Sequence, residues 1–582
     1  MAKNNNSNSS INPFPQDIDT ALIDMDGVLY DSMPFHARAW YEMFTEFGLN
    51  ISNPDEFYLY EGMTGGDTIQ MILKRELGRD ATEEEKRDLY ARKADFFVGA
   101  GQKKMMPHAD RMLSAFRNAG LKTVLVTGSA QGSLLDSLAN DYPGFFPKER
   151  MVTALDVKNG KPHPEPYLRG LEKGATDKKH AIVIENAPMG VRAGKAAGCF
   201  TIAVTTGPIP REEFEKEGAD MIFQNMESFA DWLLENLKPN PSKRLDRVVE
   251  DLNPDKILVV TDSNVEKLVF PLLKDSAVIE KSPHVELKPG EDEKNMAAVN
   301  TIWEKLEQIG ATRKSLVINI GGGMITDIGG FAAATFKRGI KTVNFPTTLL
   351  GAVDAATGGK TGVNFHGLKN EIGAFHSPSD VIISSLPFST LPHRELMSGY
   401  AEMVKTALIA DKELYLKLSD VEKILADTAL LEKAMKKCVE IKSDIVSQDP
   451  KESGLRKILN FGHTAGHAFE SLSFRKGHPL LHGEAIAHGM LVELILSHLN
   501  EGFPSLEVKM YADNILKPYF PANPFSCKDI PAIMELMAHD KKNHNFGQPD
   551  FTLLARIGQP VYGCIPPISE IEKALEIYLD SF

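Results

Sequence analysis

The chain has 582 residues, 42% hydrophobic and 25% charged, with a formal net charge of −14 from 65 basic and 79 acidic side chains. That length supports two to four domains with ample cores, and the acidic balance argues against broad nucleic-acid binding. Cys199, Cys438, Cys527 and Cys564 are scattered with no Cys-x-x-Cys, which argues against a disulfide framework or zinc knuckle and fits a reducing, cytoplasmic setting.

Residues 1–17 read as a disordered polar tail without the apolar segment of a signal peptide, and no apolar run is long enough to span a bilayer. Residues 20–24, 123–127 and 181–185 are short apolar runs ending in polar residues. They predict buried strands of a parallel α/β sheet, whose ligands sit at the carboxyl ends. A charged, mostly helical block at 33–107 interrupts the alternation and suits an inserted cap. Pro239 and Pro241 mark 238–248 as a linker. A second α/β pattern follows over 249–390, with strands at 257–262, 315–320 and 341–345, and helical periodicity dominates 391–582. The fold class is α/β multidomain: a Rossmann-like core with a helical cap at 18–237, then a nucleotide-binding α/β domain, then a mostly α-helical domain.

Asp24-Met25-Asp26-Gly27-Val28-Leu29 follows the first strand. Of two carboxylates so spaced, one can attack phosphorus while the other protonates the leaving oxygen and later activates water. A magnesium ion would shield the two anions. Alone, Asp-x-Asp reads equally as a solvated turn. Here Thr127-Gly128-Ser129 ends the second strand, Lys161 supplies a cation, and Glu185-Asn186 ends the third. Together these resemble the haloacid-dehalogenase-like phosphatases, and within them the beta-phosphoglucomutase-like branch. The resemblance implies Asp24 as nucleophile and Asp26 as general acid/base. It places the phosphoryl group on Thr127, Gly128 and Lys161, and magnesium among Asp24, Asp26, Glu185 and Asn186. That family usually ends its fourth motif in an acid pair. Asn186 departs from this, which lowers the charge at the metal or leaves Glu185 more of the load. Gly62-Met63-Thr64-Gly65-Gly66-Asp67 in the cap reads equally as a specificity loop or a plain turn. These residues do not separate phosphatase from mutase, and a degenerate regulatory domain is a further reading.

In the second half, Leu459-Asn460-Phe461-Gly462-His463-Thr464-Ala465-Gly466-His467 precedes His482-Gly483-Glu484. Histidines four apart share a helix face. With Glu402 they could leave one open position on a catalytic divalent metal. Spacing alone leaves open which imidazoles touch the metal, or whether the pair is structural. Gly321-Gly322-Gly323 after a strand would let backbone amides approach a pyrophosphate. Asp262-Ser263-Asn264 could hold a ribose, and Thr347-Thr348 offer hydroxyls. Gly358-Gly359-Lys360-Thr361-Gly362 looks like another anion loop. Arg338, Lys360, Lys369, Lys405, Lys442, Arg456 and Lys541 recur near predicted turns. Singly each is a solvated charge, but convergent they would suit a highly charged phosphorylated acid.

Residues 321–378, 398–405, 455–470 and 482–485 resemble the 3-dehydroquinate synthases, and the likeness covers about 245–582. It implies zinc, or cobalt, on Glu402, His463 and His482, with His467 beside the substrate as a proton-handling or phosphate-binding group. It implies NAD on Asp262, Asn264, Glu291, Lys294, Gly322, Gly323, Asp327, Thr347, Thr348, Asp354, Lys360 and Lys369. Substrate would meet Arg338, Asp354, Lys360, Asn370, Lys405, Lys442, Arg456, Asn460, His467 and Lys541. The implied reaction converts 3-deoxy-D-arabino-heptulosonate 7-phosphate to 3-dehydroquinate and phosphate, in the shikimate pathway to aromatic amino acids. Related sugar-phosphate cyclases act on sedoheptulose 7-phosphate or glucose 6-phosphate. Arg456 suits a carboxylate that those substrates lack, and with Lys442, Asn460 and His467 it favours the dehydroquinate branch. Ala355-Ala356-Thr357 replaces a serine-containing run common in that family, a small departure. The expectation is two enzymes fused in one chain, with small phosphorylated substrates, no nucleic-acid or membrane partner, and the homodimer common in the family.

Overall fold

The protein is described by a computed structural model that covers residues 14–60, 62–99, 104–129, 132–366, 368–538 and 548–581. It divides into two compact units, Met1–Arg247 and Val248–Phe582. Among the described residues no helix is long and apolar enough to cross a membrane.

The first unit is built on six parallel strands in the order β3-β2-β1-β4-β5-β6. They are β1 (Thr20–Ile23), β2 (Lys122–Val126), β3 (Met151–Val152), β4 (Ala181–Glu185), β5 (Phe200–Val204) and β6 (Met221–Phe223). β1 and β4 are buried along their whole length, which explains their continuous apolar runs. β1 pairs with β2 on one side and β4 on the other, so the winding direction reverses there and a crevice opens at the carboxyl ends. Helices Met33–Glu46, Gly65–Leu77 and Glu83–Gly99 form the expected cap around Trp40, Phe44, Phe57, Ile69 and Leu73. Its second helix starts where the Thr64 hydroxyl accepts the Asp67 N–H and stops at Gly78 in the left-handed region.

Two expectations are corrected. The chain is already packed at Phe14, which is buried edge-on against Phe200 and Trp232, with ring centroids 6.0 and 5.1 Å away. Only residues 1–13 of the predicted tail lie outside the described residues. The segment expected as a linker is mostly helix, Pro241–Leu252, with Leu245, Val248 and Val249 buried. Pro241 occupies the first helical position, where a missing N–H has no partner to lose. It therefore starts a helix rather than breaking one.

The second unit carries a parallel sheet ordered β13-β10-β9-β7-β8. Its strands are β7 (Ile257–Asp262), β8 (His284–Leu287), β9 (Leu316–Gly321), β10 (Lys341–Pro346) and β13 (Asp380–Val381). Two antiparallel hairpins were not anticipated: β11 (Lys360–Phe365) with β12 (Leu368–Phe375), and β14 (Phe551–Arg556) with β15 (Gln559–Cys564). In the first, Gly362 and Gly373 face each other across the ladder and break the apolar alternation that signals a strand. The presumed anion loop 358–362 is thus a turn running into β11.

Helices His393–Ala410, Thr428–Gln448, His463–Arg475 and His482–Glu501 follow and share one core that includes Met403, Cys438, Phe469 and Leu491. The last two cross almost backbone to backbone. A Cβ at Gly489 would run into the carbonyl of Gly462 and the amide of Gly466. Gly489→Val should therefore wedge these helices apart at a cost of about 3 kcal/mol or more. Urea unfolding followed by circular dichroism checks this, and a midpoint equal to the wild type's would refute the close packing.

Candidate active sites

In the first unit, Asp24, Thr127 and Glu185 sit at the carboxyl ends of three adjacent strands. Lys161 reaches in between them, with Nζ 2.5 Å from Asp24 Oδ1 and 2.6 Å from Glu185 Oε1. Burial and the neighbouring Glu185 push Asp24 up to about 8 against the pull of Lys161. Burial would lower Lys161, but Asp24 and Glu185 outweigh it and keep it protonated. Thr127 Oγ1 accepts the Ser129 N–H, which shapes the turn around Gly128. Gly62 of the cap loop, at φ +84°, lies on the Lys161 side chain, and a Cβ on Gly128 would strike the Gly62 carbonyl. The cap loop thus closes over Gly128 and Lys161.

Glu185 departs from the load expected of it. Its Oε1 accepts from Lys161 and from the Tyr167 hydroxyl, and its Oε2 from the backbone N–H of Asn186 and Ala187. A carboxylate offers about four lone-pair positions, so this one is saturated. Among the described residues of this crevice, the buried acceptors without a hydrogen-bond donor are Asp24 Oδ2 and Asn186 Oδ1. These two oxygens fit a hard divalent cation such as magnesium.

Asp26 is held by residues that the sequence did not single out. Its Oδ1 accepts from Ser32 Oγ at 2.5 Å and lies 3.1 Å from His36 Nε2. Lys93, on the third cap helix, lies 2.7 Å from His36 Nδ1. The Lys93 ammonium sits over the rings of Trp40 and Phe97, and His36 stacks on Phe97. Burial would raise Asp26, but His36, Ser32 and Lys93 prevail and hold it below the usual carboxylate range. No local spacing ties Lys93 to Asp26, and only cap packing brings them together.

In the second unit, Glu402, His463 and His482 offer ligand atoms that all lie within 4.8 Å of one another. Glu402 Oε1 is 3.7 Å from His463 Nε2 and 3.6 Å from His482 Nε2, and it is buried with no hydrogen-bond donor. His463 Nδ1 lies 3.1 Å from the Phe461 carbonyl, which leaves Nε2 facing the cluster. An orphaned carboxylate oxygen beside two imidazole nitrogens fits zinc or a similar divalent ion. His467 stands next to this group, its ring centroid 5.3 Å from that of His463 and 5.9 Å from that of His482.

The histidine helix has no side-chain cap of its own. Instead Glu493, fully buried on the neighbouring helix, accepts from the N–H groups of Gly462, Thr464 and Ala465 at 2.6, 3.1 and 3.4 Å. A carboxylate at a helix N-terminus satisfies orphan donors and the dipole together. Glu484 does the same at the start of the His482 helix, accepting from Leu481 N–H while Arg394 holds it through two bonds.

Cations gather beside the metal-ligand cluster. Lys405 pairs with Glu402, and Lys442 Nζ donates to Asp354 Oδ1 at 2.5 Å and to its carbonyl at 2.6 Å. Burial would raise Asp354, but Lys442 and Lys405 keep it far below the usual range. Lys360 and Asn460 both bond Glu452, a carboxylate not foreseen in the sequence. Arg456 donates to the carbonyls of Pro450 and Gly358.

The nucleotide-side residues line the carboxyl ends of β7, β9 and β10. The helix Gly323–Thr335 opens with Gly322 extended and without a side-chain cap, so its first N–H groups fit an anion such as a pyrophosphate. Thr347 N–H bonds the Gly321 carbonyl, and Thr348 Oγ1 accepts from Gly351. Asp262 caps the helix after β7 by accepting from Asn264 and Val265. Lys294 bonds Asp327 and Asn370, Asn364 bonds Glu291, and Lys369 bonds Glu470.

Arg338 is not brought to this group. It is exposed, at φ +70°, just before β10. The six residues of that strand hold it roughly 20 Å from Thr347 at the other end. Lys541 lies outside the described residues.

Fold and sites define a two-part enzyme, a hydrolase-type unit followed by a cyclase-type lyase unit. Residues 284–398 and 399–543 match the family models for the N-terminal and C-terminal parts of 3-dehydroquinate synthase, and 18–198 match haloacid dehalogenase-like hydrolase. A curated 3-dehydroquinate synthase from Parabacteroides distasonis is 45% identical over 334 residues, 57% of this chain and 94% of that protein. The chain therefore belongs to the 3-dehydroquinate synthase family, with a haloacid-dehalogenase-like region ahead of it. A solved 2-epi-5-epi-valiolone synthase from Streptomyces hygroscopicus, with NAD+ and Zn2+ bound, is 27% identical over 57% of this chain and 92% of its own, with a TM-score of 0.51. A structure from Bacteroides vulgatus, provisionally named a beta-phosphoglucomutase, is 46% identical over 38% of this chain and 92% of its own, with a TM-score of 0.37.

Proposed function

We propose that the second unit converts 3-deoxy-D-arabino-heptulosonate 7-phosphate to 3-dehydroquinate and phosphate, a cytoplasmic step of the shikimate pathway. The observation that carries this reading is the meeting of Glu402, His463 and His482 beside buried cations paired with Asp354. Zinc or cobalt on that cluster would polarise a hydroxyl and a ketone, and NAD at the Gly322–Gly323 turn would take up and return a hydride. The chain's own side chains do the rest. Lys360, Arg456 and Asn460 would take the substrate carboxylate, displacing Glu452, which bonds two of them. Lys405 and Lys442 hold the sugar acid near the metal ligands, and His467 moves a proton or holds phosphate. Convergent donors let successive steps share one geometry.

Purified full-length protein given the heptulosonate phosphate and NAD should form dehydroquinate, lose activity on chelation and regain it with zinc. Turnover of sedoheptulose 7-phosphate in its place would give the site to the valiolone type, the reading that the 27% identical structure supports.

For the first unit we propose magnesium-dependent hydrolysis of a small phosphorylated metabolite. Magnesium on Asp24 Oδ2 and Asn186 Oδ1 would shield the anions. Asp24 attacks phosphorus, Lys161 compensates the transferring charge, and Asp26 handles the proton of the leaving oxygen and then of water. The second reading, a phosphomutase, is separated by supplying a bisphosphate activator. Phosphate release across a metabolite panel should vanish in Asp24→Asn, and activity that survives this change would refute the nucleophile role.

A homodimer belongs to the same proposal, because Arg338 at the amino end of β10 could serve a substrate only from a second copy. Light scattering should return twice the chain mass of 64.2 kDa, and a monomer mass would remove Arg338 from the site.

A further inference from the structure

Glu470 takes no part in the reading above, yet it touches both halves of the cyclase site. It lies on the His463–Arg475 helix, seven residues beyond His463 and therefore on the same face. Its Oε2 is 3.3 Å from His482 Nδ1, and its Oε1 is 2.5 Å from Lys369 Nζ. With Nδ1 engaged, His482 presents Nε2 to Glu402. An imidazole so held has a fixed tautomer and ring orientation, which is how outer carboxylates tune metal sites.

The other end of the contact is just as specific. Lys369 belongs to β12, a strand of the hairpin beside the nucleotide-side helix Gly323–Thr335. The next residue, Asn370, accepts from Lys294, which also pairs with Asp327 in that helix at 2.6 Å. Two consecutive residues thus tie the dinucleotide cradle to the metal ligands. One path is Asp327–Lys294–Asn370, and the other is Lys369–Glu470–His482. Asn370 sits at φ +51°, in the left-handed region that asparagine adopts more readily than other non-glycine residues.

We propose that Glu470 is a positioning residue for the metal ligand His482, and that the Lys369–Asn370 step links metal binding to dinucleotide binding. The proposal rests on the metal and NAD reading given above. The two meet different oxygens of one carboxylate, so the Lys369 ammonium offsets charge that Glu470 would otherwise offer to His482. Dinucleotide phosphates that draw Lys369 away leave Glu470 to His482. Metal and NAD should then strengthen each other, by the same factor in both directions.

The test uses the full chain and two probes, Zn2+ against a chromophoric chelator and NAD by fluorescence titration. Wild type should bind zinc at least fivefold tighter with saturating NAD, and NAD tighter by the same factor with zinc. Glu470→Gln should weaken zinc about 10–100-fold and alter the visible spectrum of the Co2+-loaded protein. At saturating zinc, its NAD affinity should no longer respond to the metal. Glu470→Asp, which keeps the carboxylate, should regain part of the zinc affinity, whereas a folding defect would not be rescued this way. Zinc affinity of Glu470→Gln within twofold of wild type would overturn the positioning role. NAD affinity that still rises with zinc in that variant would overturn the linkage. A wild type that binds no zinc would instead bring down the metal reading itself, and this proposal with it.

Discussion

A carboxylate taken out of water must find donors or a cation, and that requirement places nearly every functional side chain of this protein. In the first unit, Asp24, Asp26 and Glu185 are all buried within one crevice. They differ in their partners: Asp24 and Glu185 share Lys161, Glu185 adds Tyr167 and backbone N–H groups, and Asp26 has His36 with Ser32. In the second unit, Glu493 and Glu484 each hold the start of a histidine-bearing helix, and Glu402 faces two imidazoles and Lys405. Remove the partners and the anions would protonate or drag their elements open. The folded geometry is the arrangement that satisfies all of them.

The two units solve the same problem on the same scaffold. Each has a parallel sheet in which the winding reverses at an interior strand, β1 or β7, and each site opens at the carboxyl ends there. Each then adds a second element to complete the chemistry. For the phosphatase-like unit this is the helical cap, which delivers His36 and Lys93 to Asp26. For the cyclase-like unit it is the helical region, which delivers Glu402, His463 and His482. In the first unit the strand ends carry Asp24 and Glu185 and the helices position Asp26, whereas in the second the helices carry Glu402, His463 and His482.

The His463 helix shows how far a sequence motif carries. His463, His467 and Glu470 fall on one face by helical spacing, so their proximity was legible. Their roles were not, because the deciding partners come from elsewhere: Glu402 for His463, and Lys369 and His482 for Glu470. Glu470 could have been found by extending the i, i+4 pattern by one more turn. Glu452 and Lys93 gave no such signal. Glu452 sits in a loop at φ +59°, and Lys93 meets His36 across 57 residues.

By itself the sequence determined the two α/β halves, the strands that carry Asp24, Thr127, Glu185, Asp262 and Gly321, and the cap. Those features rest on local periodicity and on polar residues placed at strand ends. It misjudged Pro241 and missed the strand that begins at Lys360, where the same residues can end one element or begin another. Only the tertiary structure decided that Glu185 is saturated while Asn186 Oδ1 is not, that Arg338 lies a strand's length from its expected site, and that Glu470 joins His482 to Lys369. The reason is physical. Which lone pair a donor reaches depends on the position of chain segments distant in sequence, and one-dimensional spacing holds no record of it.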